Sequence, residues 1–144
     1  MITIKKITPE QTYDIRQEVL RKGIDLPSEF QGDSDEHTFH LGGFVEDELI
    51  GVSSFMKTSN SQFSEPQYQL RGMATLEKAR GMGCGKLMLN YAIKMLIEKK
   101  TTILWCNARE VALNFYLKQN FKIKGGSYRI PNIGVHYCMY IRLS

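Results

Sequence analysis

Cysteine is scarce: the 144-residue chain holds only Cys84, Cys106 and Cys138, an odd number at wide spacing. That pattern supports neither a disulfide framework nor a zinc site, and each thiol reads as a small buried hydrophobe. No metal is expected. Apolar runs extend only a few residues, far short of the ~20 that cross a bilayer, so no membrane partner is expected. The opening Met1–Ile7 alternates polar and apolar residues and lacks the apolar stretch of a secretory signal, which leads to the expectation of a cytoplasmic protein. The net charge of +4 is spread over dispersed lysines with no dense basic run among aromatics. A nucleic-acid partner is therefore not expected. Repeats, low-complexity tracts and linkers are also missing, and the length fits one domain over residues 1–144.

What is there is an ordinary globular composition, 42% hydrophobic and 24% charged, with clear periodicities. Residues 2–7 read as a strand. Thr8-Pro9-Glu10 then marks a helix start, with Thr8 as N-cap and Pro9 in the first turn, and the helix ends near Gly23. Residues 24–36, with Pro27, Gly32 and Asp33, form a loop. Strands over 38–45 and 48–57 flank Glu46-Asp47 as a hairpin, and a third strand covers 67–75. Helical spacing of Leu87, Leu89, Ala92, Ile93 and Leu96 predicts a helix over 83–99. A buried strand over 101–106, a helix over 109–119 and strands over 121–124 and 135–143 follow, the last two separated by a loop that includes Gly125-Gly126. The order β-α-β-β-β-α-β-α-β-β predicts an α+β fold with a mixed sheet and helices on both faces.

The most informative stretch is Arg80-Gly81-Met82-Gly83-Cys84-Gly85-Lys86, between a strand and an amphipathic helix. A helix N-terminus offers unpaired N–H groups and the positive end of its dipole. Glycines leading into it allow positive φ and a close backbone approach to an anion. With Arg80 and Lys86 beside it, the turn reads as a pyrophosphate cradle. It is not a P-loop, because Leu87 follows Gly85-Lys86 where Ser or Thr is required. Nor is it a dinucleotide fingerprint, because Lys86 stands where the third glycine belongs.

The spacing Arg-x-x-Gly-x-Gly resembles the acetyl-CoA signature of the GNAT acetyltransferase superfamily. A second stretch, Asn107-Ala108-Arg109 followed by Ala112-Leu113-Asn114-Phe115-Tyr116 and Asn120-Phe121, is similar to that family's second signature. Asn120 replaces the usual Gly there, a mild departure because Asn tolerates a left-handed C-cap. The resemblance covers residues 67–125 most closely and follows the family's plan along the chain. It implies a mostly antiparallel sheet of six or seven strands, acetyl-CoA as co-substrate, and an N-acetyltransferase whose amine substrate attacks the thioester directly. Homodimers are common in the family.

By the same resemblance, backbone groups of Met73, Ala74 and Thr75 hold the pantetheine arm. Amides of Arg80, Gly81, Met82, Gly83, Cys84, Gly85 and Lys86 hold the pyrophosphate, Asn107 and Asn114 add polar contacts, and Tyr116 protonates the departing thiolate. The thiol of Cys84 is not expected to act as a nucleophile. His136, Glu77, His37 and His40 are the titratable candidates for general base, with His136 preferred. Arg71, Trp105 and Arg109 lie near strand ends and are candidates for the acceptor pocket, with Trp105 equally readable as a core residue. The carboxylates Asp25, Glu29, Asp33, Asp35 and Glu36 of the 24–36 loop could attract a cationic amine; a merely solvated loop is the simpler account. The acceptor, a small-molecule or peptide amine, stays open. Competing readings are a non-catalytic acyl-CoA-binding module and a nucleic-acid-binding protein.

Overall fold

The computed structural model describes residues 1–143. A single seven-stranded sheet runs β1(Thr3–Ile7)-β2(Phe39–Val45)-β3(Glu48–Met56)-β4(Gln67–Thr75)-β5(Ile103–Arg109)-β7(Gly134–Arg142)-β6(Lys122–Ile130). Only the β4–β5 pairing is parallel. The β2–β3 connection is the expected two-residue hairpin, with Glu46 and Asp47 at φ of 49° and 71°, the primed turn that suits right-twisted strands.

The first helical segment, α1, is irregular. A 3-10 turn (Glu10–Thr12) leads through Tyr13–Ile15 into a π-type turn (Arg16–Leu20). Its start is a reciprocal capping box. The Thr8 N–H donates to Gln11 Oε1 at 2.8 Å, and the Gln11 N–H donates to Thr8 Oγ1 at 3.3 Å. The wide last turn closes with Arg21 N–H to the Arg16 carbonyl at 3.1 Å, and it brings Arg16 into the interior.

α2 (Cys84–Glu98) buries Cys84, Met88, Leu89, Ala92 and Leu96, a helical stripe on the sheet. Leu87, counted in that stripe from sequence, is instead exposed in its first turn. α2 and the short α3 (Leu113–Lys118) cover one face, packing with Leu41, Phe55, Leu104, Cys106 and Met139. On the other face α1 packs Ile15, Val19 and Leu20 against Val52 and Ala74, and Phe63 covers Ile103, Trp105 and Cys138. Alternation along β5 therefore sends Leu104, Cys106 and Ala108 toward α2 and α3. It sends Ile103, Trp105, Asn107 and Arg109 toward the α1 side.

Two sequence expectations are corrected. β5 runs on to Arg109 rather than stopping at Cys106, because antiparallel pairing with β7 continues to Arg109↔His136. Gly125-Gly126 is not a loop between strands. It lies inside β6, where the register shifts between Ile123 and Ser127 as a bulge, and the hairpin turn falls at 131–133.

The Cys84 thiol seats α2 on the sheet. A Cβ added to Gly43 or Gly51 would lie 2.4 Å or 2.6 Å from its sulfur. The two glycines thus form a socket for Cys84 at the start of α2. Gly43→Ala is expected to destabilise the fold by about 1–3 kcal/mol through overpacking. Adding Cys84→Ala should recover most of that loss. Urea melts of the two single variants and the double variant measure the coupling, and strict additivity contradicts the socket.

Candidate active site

After three parallel rungs, ending at Gln69↔Trp105, β4 and β5 part. The cause lies in β4 itself. Ala74 pairs with Val52 and Arg71 with Ser54, so three steps on β4 match two on β3, and Gly72 sits at φ +64°. This bulge bends β4 away from β5. A Cβ at Gly72 would lie 2.9 Å from the Phe30 ring, so both the backbone angle and the space require glycine.

The gap between the strands is a cleft of about 830 Å³ lined on one side by Arg71–Thr75 and on the other by Cys106–Arg109. Its α2 end is the glycine turn. Gly81 and Gly83 hold φ of 83° and 84°, and a Cβ on either would meet nothing within 4 Å, so the turn is open toward the solvent side. The first bond of α2 is Leu87 N–H to the Gly83 carbonyl, and no side chain caps the helix. That leaves the N–H groups of Cys84, Gly85 and Lys86 without helical partners, a concave donor set with Arg80 and Lys86 exposed beside it. The residues fit a diphosphate.

Tyr116 lies on the α2 side of the cleft, buried, with its ring edge-on to Phe115 at 5.1 Å and tilted against Phe121 at 5.2 Å. Burial, then the neighbouring Cys106 thiol, pushes its phenol well above the ordinary tyrosine value, so the hydroxyl keeps its proton through neutral pH. Cys106 is raised in turn, by burial first. Burial also raises Cys84, which supports its packing role over a nucleophilic one.

Of the four titratable candidates, His136 alone lines the cleft among the described residues. It is buried, its Nδ1 lies 2.8 Å from the Gly134 carbonyl, and it stacks near Tyr128. The Tyr128 hydroxyl donates to Asn107 Oδ1. His40 belongs elsewhere, in a buried node under β2. Arg16 pairs with Asp33 at 2.7 Å and donates to Ser54 Oγ at 2.8 Å. Ser54 Oγ lies 2.6 Å from His40 Nδ1, and His40 Nε2 lies 2.9 Å from the Asp33 carbonyl. The chain of donors closes with a neutral His40 carrying its proton on Nε2. Burial foremost holds that imidazole below its usual value. For Asp33 burial acts upward, but hydrogen bonds from Arg16 and Phe30 together with the Arg16 charge outweigh it and lower the carboxyl. Arg16 Nε is buried without a partner.

Besides His40, five residues singled out from sequence fall outside the cleft: Trp105, Asn114, Met82, Glu77 and His37. Trp105 occupies the last paired rung before the strands part, and its ring joins Phe63 and Cys138 in a separate small core. Asn114 is exposed on α3, whose cleft-facing residues are Phe115, Tyr116 and Gln119. Met82, between the two positive-φ glycines, is exposed away from it. Glu77 and His37 are exposed and do not reach it. The acidic loop also misses the cleft: Asp33 is committed to Arg16, Asp25, Glu29, Asp35 and Glu36 face solvent, and the cleft lining includes no carboxylate. Residues missed from sequence are Arg21, Phe30, Gly72, Gln119, Ile130 and Ile133. Only Gln119, three residues after Tyr116 on one helix face, carried a local signal.

A parallel pair of strands forced apart by a bulge, with an open helix N-terminus at one end, makes a cleft suited to an extended ligand that carries an anionic group. Residues 5–121 match the family model described as acetyltransferase (GNAT) family. The chain is also 37% identical to the uncharacterized N-acetyltransferase YitI of Bacillus subtilis, over 97% of this chain and 95% of that protein. This protein belongs to the GNAT acetyltransferase family. Its fold is shared with solved structures of low identity. One is an aminoglycoside 6′-N-acetyltransferase complexed with coenzyme A (TM-score 0.79, 13% identity, 99% of this chain and 97% of that one). Another is the ribosomal-protein-S18-alanine N-acetyltransferase of Escherichia coli (TM-score 0.78, 16% identity, 100% and 95%). Among the described residues no helix is long and apolar enough to cross a membrane, and no cluster of His, Cys, Asp or Glu could hold a metal.

Proposed function

We propose that the whole chain is one catalytic domain that transfers the acetyl group of acetyl-CoA to a primary amine by direct attack, in the cytoplasm. The observation that carries this reading is the cleft itself, which joins the anion cradle at the start of α2 to Tyr116 and His136. The β5-facing edge of β4 along Met73, Ala74 and Thr75, left without a strand partner beyond Gln69↔Trp105, suits the amide-rich pantetheine arm, and the N–H groups of Cys84, Gly85 and Lys86 suit its diphosphate. Asn107 is positioned to add a polar contact.

The amine nitrogen forms a bond to the thioester carbon while the carbon–sulfur bond breaks. The ammonium proton leaves toward His136 and solvent, and the sulfur takes up a proton. Tyr116 donates its O–H to the developing thiolate. Since its phenol is a weaker acid than a thiol, its main contribution is to hold negative charge on sulfur through a hydrogen bond formed most strongly at the transition state. No acyl-enzyme is needed, and Cys84 is occupied in packing.

Isothermal titration with acetyl-CoA, free CoA and NADH tests the cradle, followed by an amine-dependent thiol-release assay. Micromolar binding of both CoA species, no binding of NADH and amine-dependent thiol release are expected. Tight binding with no release for any amine favours a non-catalytic acyl-CoA-binding module, and no binding at all overturns the reading.

A further inference from the structure

The two faces of the sheet carry opposite ends of the cleft. Cradle, Cys106 and Tyr116 lie on the α2 side, whereas Arg71, Arg109 and His136 point to the α1 side, where Arg21 follows the π-type turn. Phe30 organises the cationic groups. The guanidinium carbons of Arg16, Arg71 and Arg21 stand 3.8 Å, 4.6 Å and 5.1 Å from its ring centre. Arg16 is consumed by Asp33, with both terminal guanidinium nitrogens, Nη1 and Nη2, donating to the carboxylate at 2.7 Å and 3.0 Å.

The others are nearly unused. Arg21 donates through Nε to the Pro27 carbonyl at 3.1 Å, and Arg109 through Nη2 to the Leu20 carbonyl at 2.9 Å. Arg71 reaches only the Gln31 carbonyl, at 3.5 Å. Each guanidinium thus spends one of five N–H groups. None of the three forms an ion pair among the described residues. Arg21, Arg71 and Arg109 all line the cleft, and no carboxylate does. Gathering three like charges in a partly desolvated cleft is costly unless an anion completes them. Burial and the charges of Arg109, Arg71 and Arg16 all push the Arg21 guanidinium down, as expected for cations held together.

We propose that the acceptor is an amine that carries its own carboxylate, with Arg21, Arg71 and Arg109 clamping that carboxylate and presenting the amine to the thioester beside His136. Planar guanidinium forks suit a carboxylate, and a polycation would meet repulsion on this side. The apolar Ile130 and Ile133 complete the wall. This deepens the acetyltransferase reading and rests on it.

The test compares matched acceptors with and without the carboxylate, lysine against cadaverine and phenylalanine against phenethylamine, with spermidine as polycation. The carboxylate-bearing member of each pair is expected to show at least tenfold higher kcat/KM. Arg71→Gln and Arg109→Gln should each raise its KM at least tenfold while leaving acetyl-CoA affinity by titration unchanged. A parallel titration of the acetyl-CoA-bound protein with glutarate should shift the arginine Nε–H resonances in NMR spectra. Preference for spermidine, equal rates within each pair, or no turnover of any amino acid together with no glutarate response overturns the proposal. Failure of acetyl-CoA to bind instead overturns the reading beneath it.

Discussion

Gly83→Asp is expected to lower acetyl-CoA affinity at least 100-fold while leaving the fold intact. Gly83 opens α2 in the left-handed region at φ +84°, ψ +17°. The space where its Cβ would stand is empty for 4 Å, so the added Cβ meets no protein atom. Aspartate tolerates that backbone region better than most residues, which limits the conformational cost. Its carboxylate would project into the turn where the N–H groups of Cys84, Gly85 and Lys86 converge. There it competes for the same donors and repels the diphosphate. A loss of ~3 kcal/mol corresponds to about 100-fold in affinity. Gly83→Asn places a neutral group of the same shape at the same φ and should lose far less. Titration calorimetry of the two variants, with circular dichroism as the control for folding, separates charge from strain. Equal affinity for the Asp variant and the unaltered protein would remove the turn from the binding site.

Tyr116→Phe is expected to reduce kcat about 10²-fold, with acetyl-CoA affinity and KM for the amine little changed, the range usual for a lost proton donor. The change removes one oxygen and keeps the ring against Phe115 and Phe121. Removing the hydroxyl from this buried site costs about 1 kcal/mol of stability, too little to unfold a domain. The sign of the pH effect is fixed by the raised phenol. Tyr116 stays protonated up to and beyond pH ~10, so deprotonation of Tyr116 cannot produce a decline of kcat between pH 7 and 10. A stopped-assay pH profile of both proteins checks this. Unaltered turnover by the Phe variant excludes Tyr116 from the chemistry and would point to a solvent proton.

How much of this was readable beforehand depends on the range of the interaction. The cradle was legible because its parts are adjacent in the chain: glycines that permit positive φ, then a helix whose first amides must stay free. The hairpin at Glu46-Asp47 and the apolar stripe of α2 were legible for the same local reason. Tyr116 was found through its surrounding motif, and burial against Cys106, a distant residue, sets its acidity.

The misplacements share the opposite cause. Trp105 was grouped with Arg71 and Arg109 because all three lie near expected strand ends, yet the last β4–β5 rung falls at Trp105, so it ends in a different environment from theirs. Gly125-Gly126 looked like a turn, but a bulge in a paired strand has the same composition. For the acidic loop the simpler account holds: Asp25, Glu29, Asp35 and Glu36 face solvent, while Asp33 is spent on Arg16, a partner outside the loop that the loop's own composition does not announce.

The sequence by itself determined the element order, the family and the glycine turn that opens α2, because periodicity and turn chemistry act over a few residues. Only the tertiary structure brought three arginines into one cleft. Arg71 and Arg109 stood out by their places near strand ends but Arg21 did not, and nothing in the spacing of the three announces that a bulge at Gly72 opens one cleft they all line, or that the ring of Phe30 gathers Arg21 and Arg71 there.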